Sequence, residues 1–202
     1  NKFAGMDCYV GVDLAATSDL TAVAYLVVLD GTYYFKTHYY LPESALKDKA
    51  DKELYKYWKQ QGYLTVTSGN VTDYDYITAD MLRYADVVNI QSVGYDKYNA
   101  TQWAIDSTEQ GLPLEEYPQT LGNFNMPTRE LERLILSGKA VIDNNEINRY
   151  CFRNVTLKSD YNGNVKPNKA VDKKKIDGTI AMIQALGMFL RNPRFSNEII
   201  TI

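Results

Sequence analysis

The sequence predicts an α/β fold, a mixed sheet with helices on both faces, and three observations carry that prediction. The first forty residues read as three consecutive strands joined by tight turns, the pattern of antiparallel hairpins. Beyond residue 49, strand-like runs alternate with helical ones, which implies parallel pairing and helical cover. The 202 residues are 45% hydrophobic and 23% charged, ordinary for one globular domain long enough to bury a core. A single domain over residues 1–202 is therefore expected.

In "CYVGVDLAATSDLTAVAYLVVLDGTYYFKTHYYL", residues 8–14 are an apolar run, Ala15 to Asp19 a turn, and 21–29 a β-branched, apolar strand. Asp30-Gly31 marks a hairpin into 32–40, where aromatics alternate. After Pro42 the spacing predicts an amphipathic helix over 49–61 closed by Gly62, then a short strand at 63–67. A helix over 73–88 has Asp73 or Asp75 as its cap. "QSVGYD" (91–96) reads as a strand, 98–110 as a helix, and 114–117 as a short strand. "TRELERLILSG" (128–138) predicts a helix with Gly138 just past its end. A strand at 139–143, a short helix at 145–153 and a polar hairpin at 155–166 around Asn162-Gly163 follow. A nearly all-apolar helix from about 176 to 191 closes the domain before Pro193. No internal repeat or linker interrupts the order.

Composition excludes several chemistries. Cys8 and Cys151 are too few for a disulfide framework or a thiolate zinc site, which suggests a reducing compartment. No run of 18 apolar residues and no signal peptide occur, so no membrane association is expected. The chain opens on Asn1, as a piece of a longer polypeptide would. The sole histidine, His38, lies in an alternating strand and reads as structural, which leaves no base for Ser-His-Asp or Cys-His catalysis. No G-x-x-x-x-G-K-[ST] loop is present. Net charge is −3, yet Arg153 to Lys175 hold seven basic residues against Asp160 and Asp172. That surplus reads either as a polyanion-facing edge or as a solvated loop.

Three aspartates stand where aspartate is disfavoured. Asp13 ends "YVGVD", Asp96 ends "SVGYD", and Asp177 begins the apolar closing helix. Each alone could be a cap or a turn residue, as Asp19 in "ATSDLT" could brace its turn. Strand ends of an α/β sheet are nevertheless where ligands collect. A first-turn acid on a helix packed against the sheet points to the same place. Three carboxylates there would repel one another unless cations lay between them, and with no thiolate or histidine cluster Mg²⁺ or Mn²⁺ fits better than zinc. On this reasoning Asp96→Asn should be neutral or stabilising without metal.

The order of elements, with an acid on the first strand, a hairpin, an acid on the fourth strand and an acid on the last helix, is the RNase H-like pattern. "VGVDLAATSDLTAVAYL", "VGYDKYNATQWA", "RELERLILSGKAVI", "NGNVKPNK" and "KIDGTIAMIQAL" together resemble, over residues 9–190, the C-terminal nuclease domain of the terminase large subunit of tailed phages and prophages. The resemblance implies a metal-dependent endodeoxyribonuclease acting in genome packaging in the bacterial host cytoplasm, with a two-metal hydrolysis of double-stranded DNA. It implies Asp13, Asp96 and Asp177 as catalytic, metal-binding acids for two divalent ions, Asp13 bridging both. Lys169, Lys173, Lys174 and Lys175 are the candidate DNA contacts. The implied partners are double-stranded DNA, an N-terminal packaging ATPase domain absent from this chain, a small terminase subunit and a portal ring. Where many relatives carry a histidine after the strand reading "KAVIDNN", this chain has Asp143 and Asn144. Two alternatives share the sequence features: another RNase H-like nuclease such as a Holliday-junction resolvase, and a catalytically silent docking module.

Overall fold

The computed structural model describes residues 2–193, except positions 16, 18, 49, 99 and 173. Three strands open the chain: β1 (Asp7–Asp13), β2 (Thr21–Leu29) and β3 (Thr32–Pro42). Both hairpin partners run antiparallel, Val12 opposite Val23 and Ala24 opposite Thr37. Asp30 and Gly31 both take positive φ, 50° and 70°, in the turn between β2 and β3. That left-handed pair is what the Asp-Gly sequence suits.

The expected helix at 49–61 is α2 (Lys52–Gln60), preceded by an unforeseen short helix α1 (Ala45–Asp48), and Lys49 lies outside the described residues. Then come β4 (Thr65–Thr67), α3 (Tyr74–Ala85), β5 (Asn89–Tyr95), α4 (Thr101–Glu109) and β6 (Leu114–Glu116). Asp73 caps α3, its side chain accepting from the Asp75 and Tyr76 amides.

α5 runs Leu121–Leu136, seven residues earlier than the spacing predicts, with Pro127 inside it. Proline lacks the N–H that would bond the carbonyl four residues back. Here the Tyr117 hydroxyl donates to that carbonyl, on Asn123, at 2.7 Å. Thr120 caps the new start by accepting from the Asn123 amide. The chain continues through β7 (Ala140–Ile142), α6 (Glu146–Asn154), the hairpin β8 (Val155–Ser159) and β9 (Val165–Lys169), and α7 (Asp177–Arg191).

The main sheet has the order β4-β3-β2-β1-β5-β6, with β7 also paired to β3, and β8-β9 forms a separate sheet. β1 pairs antiparallel with β2 and parallel with β5, so the mixed sheet is as expected. Alternation along the strands divides the core. Tyr9, Ala22, Ala24 and Leu26 join α7, α5 and α6 on one face. Cys8, Val10, Val12, Val23 and Tyr25 meet Ile77 and Met81 of α3 and Trp103 of α4 on the other. Every residue from Gly178 to Phe189 is buried. α7 lies so close to the sheet that a Cβ on Gly11 would overlap the Ala181 carbonyl oxygen and the Ala185 amide nitrogen. Among the described residues no helix is long and apolar enough to cross a membrane.

Candidate metal centre

Three elements begin or end at one place. β1 stops at Asp13, β5 stops one residue before Asp96, and α7 starts with Asp177. Strand parity decides which face each acid takes. Val10 and Val12 enter the α3–α4 core while Gly11 faces α7, so Asp13 lies on the α7 face. In β5, Gly94 faces Met188 of α7, and the same alternation puts Asp96 on that side. The parallel register Val12↔Tyr95 sets Asp13 and Asp96 at neighbouring strand ends.

Asp13 and Asp177 line one cavity of about 410 Å³, together with Gln119, Lys166, Lys169 and Asp172. Asp96 is joined to it through Gln119, whose amide N–H donates to Asp96 Oδ2 at 2.9 Å. The Gln119 side-chain Nε2 donates to Asp13 Oδ1, also at 2.9 Å. Asp96 Oδ1 accepts the Tyr98 amide at 3.0 Å. Both Asp96 oxygens therefore hold backbone donors, and the expectation that Asp96→Asn costs nothing is reversed: an Asn would turn an NH₂ group against one of them. Neither Gln119 nor Lys166 was singled out from the sequence as a site residue. The predicted start of α5 at residue 128 hid the capped turn at Pro118–Thr120 that carries Gln119.

Asp13 and Asp177 carry electrostatic strain. Burial first, and the Asp177 charge second, raise the Asp13 pKa to about 8, against the pull of the Gln119 hydrogen bond and Lys169. Asp177 rises to about 6, from burial and then from Asp19, with Lys169 and Lys175 opposing. Asp177 Oδ2 is buried and has no hydrogen-bond partner among the described residues. A buried, unpartnered carboxylate oxygen beside a second raised carboxylate is a donor set that a hard divalent cation satisfies.

The residues present fit such an ion, but the three acids do not close into a ready-made cluster. Among the described residues no group of three His, Cys, Asp or Glu side chains stands in metal-holding arrangement. Asp13 and Asp177 share the cavity, while Gln119 stands between Asp13 and Asp96.

The basic residues divide. Lys169 lines the cavity, and Lys166 Nζ donates to the Gln119 carbonyl at 3.1 Å. Lys175, expected to face DNA, instead bonds Asp19 at 2.6 Å with its side chain 15% exposed. This ion pair holds the Asp19 carboxyl below its ordinary range despite burial. Lys174 Nζ sits 5.7 Å from the centre of the Tyr150 ring, and Lys173 lies outside the described residues. Asp143 is not among the cavity residues: it accepts the Asn148 amide at 2.7 Å and the Thr37 N–H at 3.2 Å. Asn144 accepts from Arg149 at 2.5 Å. His38 is structural as expected, with Nε2 3.1 Å from the Tyr84 hydroxyl.

A family model described as "Terminase large subunit, endonuclease domain" matches residues 1–192. Protein YmfN of Escherichia coli K12 is 32% identical over 204 residues, covering 92% of this chain and 44% of its own length. The terminase large subunit of Enterobacteria phage HK97 is 29% identical over 187 residues, covering 89% and 36% respectively. The chain thus spans under half the length of these relatives. The crystal structure of the HK97 large terminase superposes with a TM-score of 0.81 at 28% identity, over 90% of this chain and 39% of that one. The large terminase nuclease of thermophilic phage G20c, solved with bound magnesium, superposes at 0.59 and 12% identity over 91% and 84%, a likeness of fold.

Proposed function

We propose, from the premise that this chain belongs to the family of terminase large subunit endonuclease domains, that it is a metal-dependent endonuclease cutting double-stranded DNA during phage genome packaging. The observation that carries the reading is the buried, unpartnered Asp177 Oδ2 in the cavity it shares with Asp13. Asp13, Asp96 and Asp177 would hold two divalent ions, Mg²⁺ or Mn²⁺, with Asp13 common to both. Such ions supply an activated water and charge stabilisation at the leaving 3′ oxygen of an in-line displacement.

The chain's own residues set the geometry around that chemistry. α7, buried on nearly every side, holds Asp177 rigidly opposite the two strand ends. The Tyr98 and Gln119 amides fix the rotamer of Asp96. Lys166 and Lys169 stand at the same cavity, where ammonium groups attract the phosphates of a duplex and position it without reading its sequence. The G20c nuclease, named with bound magnesium, supports the choice of a hard divalent ion. The rest of the full-length protein would carry the packaging ATPase, with a small terminase subunit and a portal as partners in the host cytoplasm.

Calorimetry with Mn²⁺, paired with plasmid nicking, tests the reading. Wild type should bind the ion and nick DNA, EDTA should stop it, and Asp13→Ala should lose both while keeping its circular dichroism. A wild-type domain that binds no divalent ion at millimolar concentration returns the chain to the docking-module alternative.

A further inference from the structure

Gln119 engages its backbone N–H, its backbone carbonyl and its side-chain Nε2 at the candidate centre. Its N–H holds Asp96 Oδ2, its Nε2 holds Asp13 Oδ1, and its carbonyl accepts from Lys166. The backbone on either side is fixed: the Thr120 N–H donates to the Pro118 carbonyl at 2.7 Å, and Asn123 Nδ2 donates to the same oxygen at 2.9 Å. Thr120 Oγ1 in turn caps α5. Only the side chain is left to rotate.

Resting on the nuclease reading above, we infer that Gln119 is a positioning residue that gates the second cation, making metal loading at Asp13 sequential. Gln119 spans the two acids, its N–H on Asp96 and its Nε2 on Asp13 Oδ1, so its side-chain amide occupies the place an ion between Asp13 and Asp96 would take. An N–H dipole aimed at that oxygen repels an arriving cation. On the other side, Asp177 lines the same cavity as Asp13, and its Oδ2 holds no hydrogen-bond donor among the described residues. The first ion therefore enters between Asp13 and Asp177. The second, between Asp13 and Asp96, enters only when the Gln119 side chain swings away. Asp96 keeps its Tyr98 and Gln119 amide bonds in that step, and each of its oxygens retains a lone pair for an ion in the space the Gln119 side chain leaves.

Gln119→Met tests the gate, since it keeps the length of the side chain and the backbone donor while removing Nε2. In Mn²⁺ calorimetry, wild type should show a tighter and a weaker site. The variant should tighten the weaker site roughly tenfold, the scale of one hydrogen bond to a charged group, and leave the tighter one unchanged. The metal-free melting temperature of the variant should be equal to or below that of wild type, yet its rise with Mn²⁺ should be larger. A merely structural Gln119 would lower both. Equal affinities in wild type and variant, or weaker binding at both sites of the variant, overturn the gate and leave the nuclease reading standing. A wild type that binds no Mn²⁺ overturns the two together.

Discussion

Asp13→Asn should stabilise the metal-free domain, and increasingly so as pH rises. The Asp13 pKa climbs from an ordinary 3.8 to about 8, chiefly through burial. A carboxyl raised in this way keeps its proton in the folded state at a pH where the unfolded chain releases it. Stability from this group is therefore whole below pH 3.8 and is lost progressively as pH rises toward 8. At pH 7 the distance from the unfolded value is about three units, which at 1.36 kcal/mol each makes a loss of about 4 kcal/mol. Asparagine removes that dependence, and its side-chain oxygen still accepts from Gln119 Nε2, as Asp13 Oδ1 does. For a domain of this size 1 kcal/mol moves the melting temperature by roughly 2–4 °C. In EDTA, the variant should therefore melt roughly 10 °C above wild type near pH 8 and within a degree or so of it near pH 4. Thermal melts across that range, read as the difference between the two proteins, isolate this group from the others that titrate. A difference that stays flat with pH, or a variant less stable at pH 8, would show that burial of the Asp13 charge is not what strains the centre.

Asp96→Asn should lower metal-free stability by about 1–3 kcal/mol, because one of two backbone donors loses its acceptor; a melt unchanged from wild type would contradict this. Gly11→Ala should cost about 1–3 kcal/mol or more through overlap with the α7 backbone, measured by chemical denaturation. Lys169→Ala should weaken duplex binding and reduce the slope of log K against log salt by about one. Lys175→Met should instead lower stability by about 1 kcal/mol, through loss of a partly buried ion pair with Asp19, and leave that slope as it was.

The residues that sequence placed correctly are those governed by local signals. Asp30-Gly31 marks the turn between β2 and β3 and Asp73 caps α3, and the structure agrees on both. What it hid were partners brought in from elsewhere in the chain. The helix expected over 128–138 leaves Pro127 outside it, and nothing local shows that the Tyr117 hydroxyl satisfies the Asn123 carbonyl. Lys175 looked like a free cation because Asp19 lies 156 residues away. Asp177 joins the two kinds of information. At the first position of α7 the helix dipole favours an ionised carboxylate, and local physics alone would keep its pKa low. Its pKa is raised instead, because tertiary burial outweighs the dipole and leaves Oδ2 without a partner. A fold has no use for such a conflict in its core, where an apolar residue would pack at lower cost. Conflicts between local preference and tertiary placement gather at functional sites. Asp177 is the acid at which that conflict is sharpest.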